Sequence, residues 1–119
     1  MKYREVGPVT REEMVAALRR NDAKELLVAI VGLALHHHDG HFVEETCLKL
    51  AEHPDARVRA NAIESLGHAA RRFGALDRAV VAPILAASLN DQSDLVRAKA
   101  ADATDEIRHF LAWQISPSN

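Results

Sequence analysis

The residues best suited to chemistry lie in one short segment, His36 to His41, which holds four imidazoles and one carboxylate. Imidazole nitrogens and carboxylate oxygens are common ligands of zinc and other transition metals. Neighbouring residues on a helix point about 100° apart, so consecutive histidines cannot converge on one ion. His37 and His41 are one turn apart, but Gly40 between them is expected to end the helix. We therefore expect no metal site, and interpret the segment as a polar helix end whose imidazoles meet free carbonyl groups.

Candidate nucleophiles are equally isolated. Cys47 falls on the apolar stripe of its helix, which indicates a buried thiol. Ser65, Ser88 and Ser93 are predicted to be a helix residue, a helix-end residue and a helix cap, with no base beside them in the sequence. A phosphate-binding glycine-rich loop is also missing. The sequence therefore predicts no catalytic residue, no cofactor and no enzyme activity.

Composition indicates one helical domain. The 119 residues are 48% hydrophobic and 27% charged, with a net charge of −2 and few aromatics. The single cysteine excludes an internal disulfide and fits a reducing compartment. The first residues lack the apolar stretch of a secretory signal, and the longest apolar run is about ten residues, half of the roughly twenty that span a membrane. We therefore expect a cytoplasmic protein without a membrane segment.

Helix boundaries can be predicted from capping residues. Thr10 with Glu13 forms a capping box that opens a helix over 10–20, and Asp22 opens a second helix over 23–37. Gly40 is expected to end that helix, and a third is predicted over 42–53.

The second half of the chain follows the same logic. Asp55 opens a fourth helix that ends at Gly74, and Asp77 opens a fifth that reaches Leu89. Pro83 lies inside the fifth and is expected either to kink it or to mark its first turn. A sixth helix is predicted over 93–113, followed by a frayed tail over 114–119.

An internal repeat organises these helices. The segment that begins at Pro54 recurs thirty-eight positions later from Gln92, and weaker matches upstream have offsets of thirty-three and thirty-seven. We predict a single domain, 1–119. It divides into a capping helix (10–20), two complete helix pairs (22–53 and 55–90), a partial third unit (93–113) and the tail.

The pattern Asp-x-x-Val-Arg-x-x-Ala-x-x-x-Leu-Gly, present from Asp55 to Gly67, resembles that of HEAT-repeat proteins, especially short bacterial members. The third copy departs from it with Thr104 and Asp105 in place of Leu-Gly. The resemblance implies an all-α fold, a short right-handed superhelix of about six helices stacked as antiparallel pairs. It also implies that Arg59 and Arg97 are structural, each bonding the capping acid of a neighbouring repeat.

The same resemblance implies that the second helix of each pair lines the concave surface. Residues 36–56, around the third helix, carry five acidic side chains against one basic. Such a surface suits a basic protein through electrostatic steering. The predicted partner-binding residues are Glu45, Lys49, Glu52, Asp77 and Arg78.

These features together predict a non-enzymatic module that binds one dedicated protein. Small free-standing HEAT-like proteins in bacteria include neutralisers of toxins, so the specific expectation is an immunity or antitoxin protein that occludes a basic, nuclease-like toxin. One alternative is an accessory subunit like the HEAT-like partners of chromophore lyases, which would need a wide apolar pocket. The other is a nucleic-acid-binding module, whose candidate residues need not share a face and lack interleaved aromatics. They are Arg57, Arg71, Arg72 and Arg78.

Overall fold

The computed structural model describes residues 6–117, and within that range the chain forms six helices and no strand. Their bounds are α1 Arg11–Arg20, α2 Ala23–His36, α3 Gly40–Leu50, α4 Ala56–Phe73, α5 Arg78–Ser88 and α6 Asp94–Leu111. The predicted all-α fold is confirmed. None of these six helices is long and apolar enough to cross a membrane. The last two residues of the predicted tail lie outside the described range.

Most helices begin at the predicted caps. The Thr10 hydroxyl accepts from the Glu13 N–H at 3.1 Å, and the Glu13 carboxylate accepts from the Thr10 N–H at 3.0 Å, which completes the capping box. Asp22, Asp55 and Ser93 cap their helices through the same kind of bond. These ends form where predicted because a cap satisfies N–H groups within its own turn.

The prediction for Gly40 is wrong. α2 ends at His36, and Gly40 is the first residue of α3, whose N-cap is Asp39. A Cβ at position 40 would lie 2.8 Å from the Phe73 ring, so tertiary packing requires glycine there. α3 therefore begins two residues earlier than predicted. It ends at Leu50, three residues before the predicted end.

The fifth helix also needs a correction of register. Pro83 lies within α5 rather than in its first turn. The N-caps of α3 and α5, Asp39 and Asp77, are thirty-eight residues apart, as are the fully buried Val43 and Val81. The offset between these helices is therefore thirty-eight, not thirty-seven, and equals the offset between α4 and α6.

Two layers of helices make up the stack. α2, α4 and α6 lie side by side, with α4 in contact with both neighbours, and α1, α3 and α5 pack against them. Each member of the second layer contacts the helix that follows it, so packing favours the pairs α1–α2, α3–α4 and α5–α6. The sequence suggested pairing α2 with α3 and α4 with α5.

One hydrophobic core runs through all six helices. α4 and α6 pack closely at Gly67, where a Cβ would lie 3.1 Å from the Ala103 Cα. α6 ends two residues earlier than predicted, because Ala112 adopts the left-handed conformation and turns the chain. Trp113, only 8% exposed, then packs back onto the core together with the partly buried Ile115.

Candidate functional site

The histidine segment forms the turn between α2 and α3. His36 Nε2 lies 2.7 Å from the Val6 carbonyl oxygen, and His37 Nδ1 accepts the Asp39 N–H at 3.1 Å. The His37 ring also stacks on His38 at 4.8 Å between centroids. Within residues 6–117, no group of three or more histidine, cysteine or acidic side chains could hold a metal ion. The imidazoles of His36, His37 and His38 therefore stabilise the turn between α2 and α3.

The single thiol is inaccessible. Cys47 is completely buried in α3, and burial raises the pKa of the thiol, to which the Glu44 carboxylate adds. A protonated, buried thiol is a poor nucleophile. The Ser88 hydroxyl donates to the Ile84 carbonyl oxygen at 2.8 Å, and Ser93 caps α6. These side chains have structural partners, and the absence of enzyme activity stays a prediction.

Both arginines of the repeat pattern, Arg59 and Arg97, donate hydrogen bonds to Asp91 in the turn before α6. Arg59 donates to both carboxylate oxygens of Asp91, at 3.0 and 3.1 Å, and to the carbonyl oxygens of His53 and Pro54. Its hydrogen bonds lower the pKa of Asp91. Arg97 donates to the Asp91 carbonyl oxygen and pairs with Asp94. Arg59 thus links the turn before α4 to the turn before α6.

The arginines considered for nucleic-acid binding have separate partners. Arg72 donates to the carbonyl oxygens of Ala34 and His37, at 2.7 and 2.9 Å, which satisfies the end of α2. The other three also interact within the chain, as follows. Arg71 pairs with Glu106, Arg57 with Asp55, and Arg78 lies over the Trp113 ring.

The predicted partner-binding residues separate into two places. Glu45 and Lys49 line a groove of about 330 Å³ between α1 and α3, together with Arg19 of α1. Glu52 is exposed in the turn that follows α3. We call this surface, defined by Glu45, Lys49 and Glu52, the α3 face.

Asp77 and Arg78 lie on the other flank of α3, at the start of α5. The connection is Glu44, an 8% exposed carboxylate whose Oε1 accepts the Asp77 N–H at 2.8 Å. Glu44 therefore faces α5, whereas Glu45 faces α1. Sequence reasoning missed Glu44, and the available signal was its position, one residue away from the exposed stripe of α3.

A second groove, also missed, lies between α4 and α6 and encloses about 620 Å³. Four of its nine lining residues are acidic and two are histidines, and Phe110, which also lines it, is 44% exposed. The acidic residues are Glu64, Asp102, Asp105 and Glu106. Lys99 contacts Glu64 at 2.7 Å and Arg108 contacts Asp105 at 3.3 Å. A signal was present, because Glu64 and Asp102 are thirty-eight residues apart and so occupy equivalent repeat positions.

Comparison with known proteins agrees with this architecture. A family model described as HEAT repeats matches residues 11–105. A chain in a crystal structure of a CDI complex from Cupriavidus taiwanensis LMG 19424 is similar in fold, with a TM-score of 0.79 and 26% sequence identity. The similarity covers 92% of this chain and 97% of that one. A search of curated proteins found no match.

Proposed function

The chain belongs to the HEAT-repeat family, and on that premise we propose that it is an immunity-type protein that binds one toxin and neutralises it by occlusion. The observation that carries this proposal is the similarity in fold, over nearly the whole of both chains, to a chain from a CDI complex. CDI complexes are toxin–immunity systems. A helical-repeat module suits the task because its stacked helices offer a broad, rigid surface.

Charge supports a basic partner. The α3 face carries two exposed glutamates, Glu45 and Glu52, against one lysine, Lys49. Acidic surfaces accelerate encounter with a basic protein and reject acidic ones. A nuclease-like toxin fits this requirement, since a protein that binds phosphates carries a basic face.

Occlusion requires contact but no chemistry. In the proposed complex Glu45, Glu52 and Lys49 set the orientation of the toxin. Asp77 and Arg78 contact its edge across Glu44. Toxin covered in this way cannot reach its substrate, so inhibition follows the stoichiometry of binding.

Affinity purification from the native host, followed by mass spectrometry, tests the function. We expect one stoichiometric basic protein, whose expression alone arrests growth and whose co-expression with this chain restores it. Recovery of ribosomes or DNA would favour the nucleic-acid alternative. A partner that is harmless when expressed alone would favour an accessory subunit.

Paired charge reversals test the face. Glu45→Lys with Glu52→Lys should weaken binding to the captured toxin by about tenfold or more. The matched control is Asp102→Lys with Asp105→Lys, which changes the net charge equally in the other groove. If the Glu45→Lys, Glu52→Lys variant bound the toxin as tightly as the wild type, the toxin would not contact the α3 face.

A further inference from the structure

An apolar groove of about 530 Å³ lies between α1 and α2. We call it the α1–α2 groove. Its apolar side chains are Val9, Ala16, Ala17, Val28 and Ala29. Val28 is 37% exposed and is one of four exposed large apolar side chains within residues 6–117, with Val80, Leu95 and Phe110. Exposed apolar surface with a polar rim is typical of binding sites.

The corresponding surface is covered by a helix elsewhere in the stack. Position 28 of α2 corresponds to Asn61 of α4, at the offset of thirty-three set by the caps Asp22 and Asp55. Asn61 donates to the Leu27 carbonyl oxygen at 3.2 Å, so this position in α4 faces the preceding helix of its layer. Among the described residues no helix precedes α2 in that layer, and position 28 faces the groove.

Residues 6–9, upstream of α1, cover only part of this surface. Gly32 lies one turn beyond Val28, and a Cβ there would be 2.6 Å from the Gly7 carbonyl oxygen and 2.7 Å from Val9 Cγ2. Residues 6–9 therefore cross α2 at Gly32. Within residues 6–117, Glu25, Val28 and Ala29 of α2 line the groove, and Val28 is exposed there.

The rim of the groove is acidic. The charged residues that line the groove are three glutamates and one arginine. The glutamates are Glu12, Glu13 and Glu25. Arg20 pairs with Glu25 at 2.6 Å, and Glu13 is held by the capping box. Glu12 is exposed in the first turn of α1. The excess of carboxylates complements lysine or arginine side chains.

We propose that the α1–α2 groove receives an amphipathic helix of the protein partner. The apolar side chains of that helix contact Val9 and Val28, and its basic side chains reach the glutamates of the rim. Grooves between helices commonly bind helices in this way. The inference rests on the proposed function and extends its contact surface, because α1 borders both this groove and the one that holds Glu45 and Lys49.

A matched pair of substitutions to arginine tests the proposal with the captured toxin. Val28→Arg places a cation at the centre of the groove, and affinity should fall about tenfold or more. Leu95→Arg makes the same kind of change at a 44% exposed apolar side chain on α6, outside the proposed toxin contacts, and affinity should stay within about twofold. Equal affinity of the two variants would show that the toxin does not bind at the α1–α2 groove, and would leave the proposed immunity function unaffected. If Val28→Arg fails to fold, Glu12→Lys at the exposed rim replaces it, with the same expected weakening.

An NMR titration with a defined probe keeps the two proposals separable. The probe is a synthetic amphipathic helix with leucines on one face and lysines on the other, and the control peptide has glutamates in place of the lysines. We expect the lysine peptide alone to shift the amide signals of Ala16, Ala17 and Val28. Equal shifts with both peptides, or none, would overturn the groove even if no toxin had been found. Self-association that Val28→Arg abolishes, with toxin binding unchanged, would identify a second copy as the occupant and also overturn the proposal.

Discussion

At the scale of single residues, Arg59 shows how one side chain can hold a repeat stack together. Its guanidinium satisfies carbonyl oxygens in the turn before α4 and a carboxylate in the turn before α6. Its side chain is 20% exposed and that of Asp91 17%, so water screens the pair only partly. Removing one partner of such a pair leaves a half-buried charge without compensation.

Arg59→Leu should therefore lower the free energy of unfolding by about 2 kcal/mol. Urea denaturation followed by circular dichroism measures the change. The control is Arg57→Leu, which removes an exposed pair with Asp55 and should cost clearly less. Equal losses in the two variants would show that the link between turns contributes nothing special.

Thr104 gives a prediction of the opposite sign. It is 4% exposed, and its hydroxyl is the one buried side-chain polar atom within residues 6–117 that lacks a hydrogen-bond partner. Thr104→Val keeps the shape and removes the unsatisfied group, so the protein should gain about 1 kcal/mol. Thermal unfolding measures the gain. Ser88→Ala, which removes a bonded hydroxyl, should bring none.

At the scale of elements, local chemistry decided which boundaries could be predicted. Thr10, Asp22, Asp55 and Ser93 cap their helices through bonds to N–H groups within three residues, and the sequence displays both partners. Gly40 could not be assigned in this way. Glycine suits a helix end as well as a close contact, and the contact with Phe73 is thirty-three residues away in the sequence.

The interface between α4 and α6 should make stability depend on pH. Burial lowers the pKa of His68 below its usual 6.5, and the positive charge of Arg71 adds to the effect. Since the unfolded chain then binds the proton more readily, the free energy of unfolding should decrease as pH falls below about 6.5. The other charged groups that act on His68 are Glu64, Glu106 and Lys99.

Urea titrations of the wild type and His68→Gln between neutral and mildly acidic pH measure this effect. The variant should lose less stability than the wild type over the same interval. Parallel curves would assign the acid sensitivity to other groups. Asp91 is distinguishable, because its lowered pKa affects stability only as pH falls below about 4.

At the scale of the whole molecule, the single core predicts one cooperative transition. Trp113 is the only tryptophan and packs on the core from beyond the end of α6. Its fluorescence and the helical circular dichroism should therefore change at the same denaturant concentration. An earlier change in fluorescence would mean that the segment around Trp113 detaches before the stack unfolds.

The candidate site was less predictable than the fold. Repeat spacing was enough to place Glu45 and Lys49 on one exposed stripe of α3. Repeat spacing could not show that Asp77 and Arg78 lie on the other flank of α3, next to Glu44. Their position depends on how α5 packs against α3. The α1–α2 groove likewise depends on where residues 6–9 cross Gly32, a contact between segments that share no sequence pattern.

The buried thiol of Cys47 makes it possible to measure how often the folded stack opens. The side chain has no exposed surface, so a thiol reagent in solution can modify it only while the stack is open. At high reagent concentration, the labelling rate equals the rate of opening, and at low concentration it reports the open population. Because the chain has one cysteine, all labelling occurs at Cys47 and reports the exposure of α3. Addition of a partner that binds the folded stack should slow this labelling, which offers a measure of binding without any attached probe.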